Sequence, residues 1–255
     1  MVDVLSQDYW SGVHAAHKLP QSIKPRRYPD EDRLFQKYLP RGGSLFEIGC
    51  APGRWLSYFA KRFDMEVGGV EYVPEAAALT TENLRVQDIH SRVICEDFFN
   101  ADFSEAAYDL AYSRGFIEHF DDTPGVVARI ASLTRPGGYV VTTVPNMEGY
   151  YGWLFKKFAP KVYAGHVVID QHRLREVHEM AGLETVFCNY GGVPNFYIPR
   201  DQDSPAPKGL TLKLERIMSK LINAAGPRLA GLIRWVPRNK TISPTVLYIG
   251  RRPNS

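Results

Sequence analysis

One short stretch of the chain, residues 45–53, combines an acid with three small residues at the spacing acid-x-Gly-x-small-x-Gly. Gly49 and Gly53 let the backbone bend sharply and approach a ligand, and Ala51 is small enough to do nearly the same. An apolar run that ends near Glu47 precedes the turn, and a helical pattern of aromatic residues follows it. The stretch therefore predicts a strand–turn–helix unit with a nucleotide-sized notch at the carboxyl end of the strand.

The spacing of this turn separates it from two other phosphate-binding turns. No Gly-Lys-Ser/Thr follows it, which excludes a P-loop, and it lacks the three glycines of the dinucleotide fingerprint. The pattern from Glu47 to Gly53 instead resembles motif I of the class I S-adenosylmethionine-dependent methyltransferases, and residues 30–190 extend the resemblance. The segment 114–120 resembles the ubiquinone-type and sugar-type small-molecule enzymes. A glycine turn in some other α/β protein is the competing interpretation.

The resemblance implies that S-adenosyl-L-methionine binds at the ends of several strands. Glu71 would bind both hydroxyls of the ribose, since a carboxylate can accept two hydrogen bonds from a cis-diol. Asp97 would accept from the adenine amino group, and Phe98 would pack on the ring. The loop after the fourth strand would border the methionine end. The implied cofactor-binding residues are Glu47, Gly49, Ala51, Gly53, Glu71, Tyr72, Asp97, Phe98, Ser113 and Arg114.

Apolar runs alternate with helical patterns along the chain, as a mostly parallel sheet covered by helices requires. We therefore expect an α/β, doubly wound, Rossmann-like and mostly parallel seven-stranded sheet, and the resemblance implies an antiparallel last strand. Asp30 is predicted to cap a first helix that runs to Tyr38. The predicted strands cover residues 44–48, 67–71, 92–95, 108–113, 139–144, 183–189 and 245–251. The predicted single domain, 1–255, comprises a lid segment (1–29), a core (30–190) with a substrate insertion (145–170), and a basic amphipathic helical excursion (208–240).

Composition adds constraints on the cellular setting. The chain of 255 residues has no apolar run of about 18 residues, so no transmembrane helix is expected. The first residues lack a basic region and an apolar core, so no secretory signal is visible. The three cysteines (Cys50, Cys95 and Cys188) are too few and too scattered for a disulfide framework or a zinc site. These features favour a cytoplasmic protein.

Histidines are the main candidates for acid–base chemistry. Methyl transfer from a sulfonium is an in-line displacement that the protein mainly aligns, and a hydroxyl acceptor also benefits from a base. His119 lies in the loop that the resemblance places nearest the methyl group, and His166 lies shortly before the last core helix. Asp170 and His172 are further candidates, although His172 better fits the start of that helix. We predict O-methylation of a small acceptor (a sugar, a quinone or phenol, or another natural product), and a mechanism without a histidine base stays open.

Aromatic residues cluster in two segments outside the core strands. Tyr150, Tyr151 and Trp153 lie in the insertion after the fifth strand, where the resemblance places substrate-binding elements. Tyr9 and Trp10 lie in the N-terminal segment, which resembles a lid over the cofactor. Both sets are predicted to contact the acceptor, and simple packing of the leading segment onto the body is the alternative for the second set.

Other function classes fit the sequence less well. The Lys–Asp–Lys–Glu set of RNA ribose methyltransferases is absent. The Asn/Asp-Pro-Pro-Tyr/Phe signature of amino-directed nucleic-acid enzymes is also absent. Both absences argue against a nucleic-acid substrate. Asp121 and Asp122 are adjacent acids that more commonly cap a helix than bind a metal, and no metal is predicted. An N-methyltransferase or RNA-directed enzyme, and a non-catalytic binding or scaffold protein with the same fold, remain alternatives.

Charge divides the chain into an acidic body and a basic tail. Residues 208–255 contain ten Lys or Arg and one acid, Glu215, whereas the whole chain has a formal charge of only +3. Residues 210–222 have an apolar helical face, and further apolar residues follow Gly226-Pro227, namely Leu229, Leu232, Ile233, Trp235 and Val236. The apolar face is expected either to pack on the body or on a second subunit, which would give a homodimer. Alternatively, the basic face of 208–240 would touch an anionic membrane surface or an acidic carrier.

Overall fold

A computed structural model describes residues 19–103, 108–201, 209–233, 236 and 238–254, without the side chains of 209–212, 214, 216 and 233. Tyr9 and Trp10 lie outside the described residues, so their predicted role as a lid stays a prediction. Of the predicted lid segment, residues 19–29 are described, and they include a 3-10 turn at Pro25–Arg27.

Seven strands form one sheet in the described part of the chain, in the order β3-β2-β1-β4-β5-β7-β6. Strand β7 is antiparallel to both of its neighbours, β5 and β6, while the pairings among β1 to β5 are parallel. The predicted fold is therefore confirmed, including the antiparallel last strand. The strands are β1 (Ser44–Ile48), β2 (Glu66–Glu71), β3 (Ser91–Cys95), β4 (Tyr108–Arg114), β5 (Thr134–Pro145), β6 (Glu184–Gly191) and β7 (Thr245–Arg251).

Helices cover both faces of the sheet because side chains alternate along each strand. On β1, Phe46 and Ile48 join one apolar cluster with α4 and α7, and Leu45 joins another with α1 and α2. The described helices are α1 (Pro29–Tyr38), α2 (Arg54–Phe63), α3 (Pro74–Arg85), α4 (Thr123–Ser132), α5 (Tyr150–Phe158), α6 (Pro160–Ala164), α7 (Gln171–Met180) and α8 (Gly209–Ile233), with a second 3-10 turn at Ile117–His119. Among the described residues, no helix is both long enough and apolar enough to cross a bilayer.

The predicted cap of α1 and the predicted start of β5 differ from the structure. Asp30 does not cap α1, whose N-cap position is Tyr28. The Asp30 side chain is instead buried, where it accepts hydrogen bonds from Gly192 N at 3.2 Å and Arg238 Nη2 at 2.7 Å. Strand β5 begins at Thr134, earlier than predicted, because Thr134 already pairs with β4 before the Pro-Gly-Gly turn. Asp30 therefore ties three distant parts of the chain together.

Helix α8 differs most from its prediction. It continues through Pro227 to Ile233, although a proline inside a helix removes one backbone hydrogen bond. Its apolar residues Ile217, Met218 and Leu221 are exposed, so the predicted packing of this face on the body is wrong. The side that approaches the body contains small residues, among them Gly226, where an added Cβ would lie 3.2 Å from Val193 Cγ1.

Candidate active site

The glycine turn after β1 has the backbone shape that the sequence predicts. Gly49 and Gly53 have φ angles of 67° and 79°, in the left-handed region that favours glycine. The Gly49 N–H donates to Val70 O at 3.0 Å, which ties the turn to β2. An added Cβ on Gly49 would lie 3.3 Å from the Phe116 ring. The turn therefore brings bare backbone to the carboxyl end of the sheet.

A cavity of 220 Å³, here called cavity A, opens beside this turn at the ends of β1 to β4. Seven of the ten predicted cofactor residues line it, so the predicted convergence of strand ends is present. Ser113 lies below the cavity, where its hydroxyl is 3.4 Å from Thr142 Oγ1 within the sheet. The residues that line cavity A are Gly49, Ala51, Val70, Glu71, Tyr72, Glu96, Asp97, Phe98, Phe99, Arg114, Gly115, Phe116, His119 and Phe120.

The two strand-end acids of cavity A are held by backbone N–H groups. Glu71 Oε1 accepts from Val73 N at 3.1 Å, and Asp97 Oδ1 accepts from Phe99 N at 2.9 Å. Burial raises the pKa of the Glu71 carboxyl, and hydrogen bonds from backbone N–H groups partly offset this effect. Phe98 is buried and packs edge-on against Phe116, with ring centroids 5.6 Å apart. Cavity A thus offers two fixed acceptors and an aromatic wall.

A second cavity of 440 Å³, cavity B, adjoins cavity A. Gly49, Ala51, Arg114, Gly115 and His119 line both cavities, so the two spaces meet. The new walls of cavity B come from the N-terminal segment, the ends of β1 and β5, and the insertion after β5. They include Ile23, Tyr28, Glu47, Trp55, Glu118, Thr143, Phe155, Val162 and His166.

Glu47 lines cavity B and Arg114 lines both cavities, and each has one side-chain atom buried without a partner. Glu47 Oε2 and Arg114 Nη1 are buried and have no hydrogen-bond partner among the described residues. Burial raises the pKa of the Glu47 carboxyl well above its usual range, and the Leu56 N–H and the nearby Arg114 charge oppose this. Arg114 also lies over the Trp55 ring, 5.2 Å from its centroid. An unpaired acceptor and an unpaired donor at one point suit a ligand that carries both charges.

Glu118, His119 and His166 form a cluster at the wall of cavity B. His166 Nδ1 is 2.6 Å from Val162 O, and His119 Nδ1 is 3.1 Å from Gly165 O. His119 is buried and makes a further hydrogen bond to the Gly115 backbone, and burial with the nearby His166 lowers its pKa to about 4. Burial raises the pKa of Glu118 to about 8, so this carboxyl keeps its proton at neutral pH.

This cluster is also the set of side chains best placed to hold a metal ion. Glu118, His119 and His166 each offer one ligand atom, and these atoms lie within 4.8 Å of one another. Asp121 and Asp122 are the adjacent acids that the sequence offers as metal ligands. Sequence order does not show that His166 lies next to the 3-10 turn. The absence of a metal stays a prediction.

The insertion residues predicted to bind the acceptor, Tyr150, Tyr151 and Trp153, are not among the described residues that line cavity B. Trp153 is exposed and stacks with Tyr150, and the buried Tyr151 accepts from Asn195 N at 2.6 Å. Phe155 is the residue of α5 that faces the cavity. Successive helical residues turn by about 100°, so Trp153 and Phe155 point in nearly opposite directions. The aromatic residues pointed to α5, but Phe155 rather than Trp153 is the α5 residue in the wall of cavity B.

The fold is that of a class I S-adenosylmethionine-dependent methyltransferase. Residues 19–187 match the family described as "Methyltransferase domain", and the chain belongs to this family. Structures that share this fold include complexes with S-adenosyl-L-methionine or S-adenosyl-L-homocysteine.

Relatives differ in the atom that they methylate. Phosphoethanolamine N-methyltransferase 2 of Caenorhabditis elegans is 25% identical over 170 residues, which are 66% of this chain and 38% of that protein. A structure of geranyl diphosphate C-methyltransferase from Streptomyces coelicolor, with Mg²⁺, geranyl diphosphate and S-adenosyl-L-homocysteine, has a TM-score of 0.58 at 15% identity, covering 87% of this chain and 78% of that one. A possible histamine N-methyltransferase from Thermotoga maritima has a TM-score of 0.56 at 18% identity, covering 96% and 93%. These two structures share the fold.

The chain is shorter than the curated relatives that it matches. Its alignments span between 21% and 38% of their lengths. The names of the relatives specify nitrogen and carbon acceptors as well as a hydroquinone substrate. Methyl transfer is thus common to them, and the acceptor atom is specific to each.

Proposed function

We propose that this chain methylates a hydroxyl oxygen of a small acceptor bound in cavity B, with His166 as the general base. The observation that carries the proposal is the hydrogen bond of 2.6 Å between His166 Nδ1 and Val162 O. Because a carbonyl oxygen only accepts, this bond places the proton on Nδ1 and leaves Nε2 with its lone pair. Burial lowers the pKa of His166, which keeps the ring neutral and able to take a proton.

His119 suits a positioning role better than the role of base. Its ring is buried between the backbones of Gly165 and Gly115, and it lies against His166 with ring centroids 4.6 Å apart. His166 is only partly buried and projects from the segment after α6. We infer that His119 holds this segment against the 3-10 turn and thereby sets the place of the base.

The residues around cavities A and B fit S-adenosylmethionine. We infer that Glu71 binds the ribose hydroxyls, that Asp97 and Phe98 hold the adenine, and that Glu47 and Arg114 take the ammonium and the carboxylate of the methionine end. The unpartnered atoms of Glu47 and Arg114 match the two charges of an amino acid. When bound, the cofactor supplies an activated methyl group.

N-methylation is the second candidate, because the C. elegans relative carries that activity in its name. A neutral amine already has a lone pair and does not need the same base. The deciding experiment supplies the purified chain with methyl-labelled S-adenosylmethionine and matched alcohols and amines, and assigns the labelled product by NMR. Labelled ethers support our proposal, whereas N-methyl products alone would contradict it.

We also propose that α8 contacts an anionic membrane surface. Ile217, Met218, Leu221, Leu229 and Leu232 are all exposed, and at 100° per residue they fall within an arc of about 120°. Lys213 and Lys220 lie just beyond one edge of this arc, and Arg228 lies within it, close to the same edge. A helix with an exposed apolar face and a basic edge suits the interface of an anionic bilayer.

A further inference from the structure

A third cavity, cavity C, lies between the N-terminal segment, the loop after β6 and α8, and has a volume of 790 Å³. Tyr28, Arg114 and Thr245 line both cavity B and cavity C, so the two spaces adjoin. A volume of this size holds a whole small molecule. A ligand that reaches into cavity B can therefore extend into cavity C.

The walls of cavity C carry an excess of positive charge. Arg26 and Arg27 come from the N-terminal 3-10 turn, and Lys220 and Arg228 come from α8, which packs against that turn. All four side chains are exposed. Among the described residues, no carboxylate lies within the ion-pair distance of 4.0 Å of any of them.

The acid in the wall does not balance this charge. Glu31 is the single carboxylate among the described lining residues, and it is buried, 3.8 Å from Arg114. Burial also raises its pKa. Because these four cations lack a counter-charge within the described part of the chain, they repel one another, and an anion bound between them reduces this repulsion.

We propose that cavity C binds a phosphoryl group of the acceptor. The proposal rests on the proposed function, since cavity B must hold the reacting hydroxyl of the same molecule. Arginine offers parallel N–H donors that match two phosphate oxygens, and lysine adds a point charge. Three arginines and a lysine suit the multiple charges of a phosphate ester or a diphosphate better than a single carboxylate. Val193, Pro194 and Pro227 add apolar surface for the body of the acceptor.

The test measures binding rather than methyl transfer. The full chain, saturated with S-adenosyl-L-homocysteine, is titrated calorimetrically with inorganic pyrophosphate. We expect binding that weakens as salt rises, and an affinity at least about tenfold lower in the double variant Arg27→Gln/Arg228→Gln. The control Lys37→Gln/Arg92→Gln removes the same charge from exposed positions on α1 and β3, outside cavity C, and should bind as the parent chain does.

Competition then separates two sources of the phosphoryl group. Displacement of pyrophosphate by glycerol 3-phosphate would support a water-soluble phosphate ester, and displacement by phosphatidic acid vesicles alone would support a lipid headgroup. Absence of binding at millimolar pyrophosphate, equal losses in both double variants, or displacement by neither competitor would overturn the proposal. Because no outcome requires turnover, failure of this site is distinguishable from failure of the proposed reaction.

Discussion

Glu47 and Glu71 are both buried acids at the carboxyl edge of the sheet, yet they face different spaces. Glu71 lines cavity A and accepts from the backbone of Val73, whereas Glu47 lines cavity B and keeps one oxygen without a partner. The difference follows from position, because Glu47 lies within β1 and Glu71 ends β2. Two acids of one type can thus hold different ends of one cofactor.

Replacement of Glu71 tests the cofactor assignment. Loss of its charge-assisted hydrogen bonds should cost about 1.5–3 kcal/mol, which is roughly a tenfold or greater loss of affinity for S-adenosylmethionine. Calorimetry on Glu71→Ala measures this directly. Glu66→Ala removes an exposed acid from the other end of β2 and should leave the affinity unchanged. Equal affinity in Glu71→Ala and the parent chain would refute the assignment.

The pH dependence of turnover tests whether His166 is the general base. His166 must be neutral to accept a proton, so kcat should fall as the pH drops through its pKa, which burial holds below the ordinary 6.5. His166→Ala should lower kcat by a factor on the order of 10² or more and remove this acid limb. Cofactor affinity should stay close to that of the parent.

A matched histidine gives the control for this experiment. His172 is exposed on the first turn of α7, and His172→Ala should keep the acid limb and the full kcat. An unchanged pH profile in His166→Ala would rule out His166 as the base. A loss of kcat in His119→Ala with the acid limb retained would fit its proposed positioning role.

Residue types predicted the lining of cavity A better than the lining of cavity B. Motif spacing located Glu71, Asp97 and Arg114, because these residues follow consecutive strands whose ends meet. Phe155 and Val162 carried no such signal, since their exposure depends on how α5 and α6 dock. Glu118 was overlooked because only its burial shows that its carboxyl keeps a proton.

At the scale of elements, α7 is fastened to the sheet by a buried histidine. His178 Nδ1 is 2.7 Å from Leu174 O, and Nε2 is 2.8 Å from Thr142 Oγ1 on β5. The ring also stacks on Tyr248 of β7, with centroids 3.9 Å apart. These contacts connect α7 to two strands through a single neutral side chain.

This arrangement predicts a pH-dependent contribution to stability. Burial lowers the pKa of His178 from 6.5 to about 4, so the folded state favours the neutral ring. Its contribution is complete above pH 6.5 and is lost as the pH falls towards 4, by on the order of 3 kcal/mol. Urea unfolding at several pH values should show a shallower pH slope for His178→Gln than for the parent.

Helix α7 also contains an exposed histidine, His172, which serves as the control for His178. His172→Gln alters an exposed histidine and should unfold with the parent's pH slope. An identical slope in His178→Gln would show that His178 is not the source of the dependence. A lower stability of that variant at neutral pH is expected in any case, since it loses the stack on Tyr248.

Periodicity predicted the elements of the core but not the orientation of α8. The strands and core helices follow from apolar alternation, which packing enforces on both faces of a buried sheet. Helix α8 has an equally clear apolar face that stays exposed, because small residues such as Gly226 and Ala230 occupy the side that approaches the body. An amphipathic pattern specifies that a face needs a partner, not which partner.

At the scale of the whole molecule, the charge division predicts orientation on a surface. The parent chain should co-sediment with anionic vesicles and not with neutral ones, and the binding should weaken as salt rises. Leu229→Ser/Leu232→Ser should reduce binding, because it removes exposed apolar surface from α8. Met180→Ser changes a similarly exposed residue on α7 and should have no effect.

Two results would argue against the proposed binding of α8 to an anionic membrane. Equal sedimentation with neutral lipid would show that charge does not direct the contact. A concentration-dependent dimer that the leucine variants abolish, without any binding to anionic vesicles, would assign the apolar face of α8 to a second copy of the chain.

Strand β7 is synthesised after the other six strands of the sheet, yet it pairs with both β5 and β6. The residues that line cavity A end at Phe120, so all of them are synthesised before β5. Strand β6 pairs only with β7 in the described sheet, and Thr245 of β7 lies 54 residues beyond Gly191 of β6. Cavity C is likewise incomplete until α8 and Thr245, which form part of its wall, have been synthesised. A nascent or prematurely ended chain without β7 would therefore lack part of the walls of cavities B and C, and would leave the edges of β5 and β6 open to other strands.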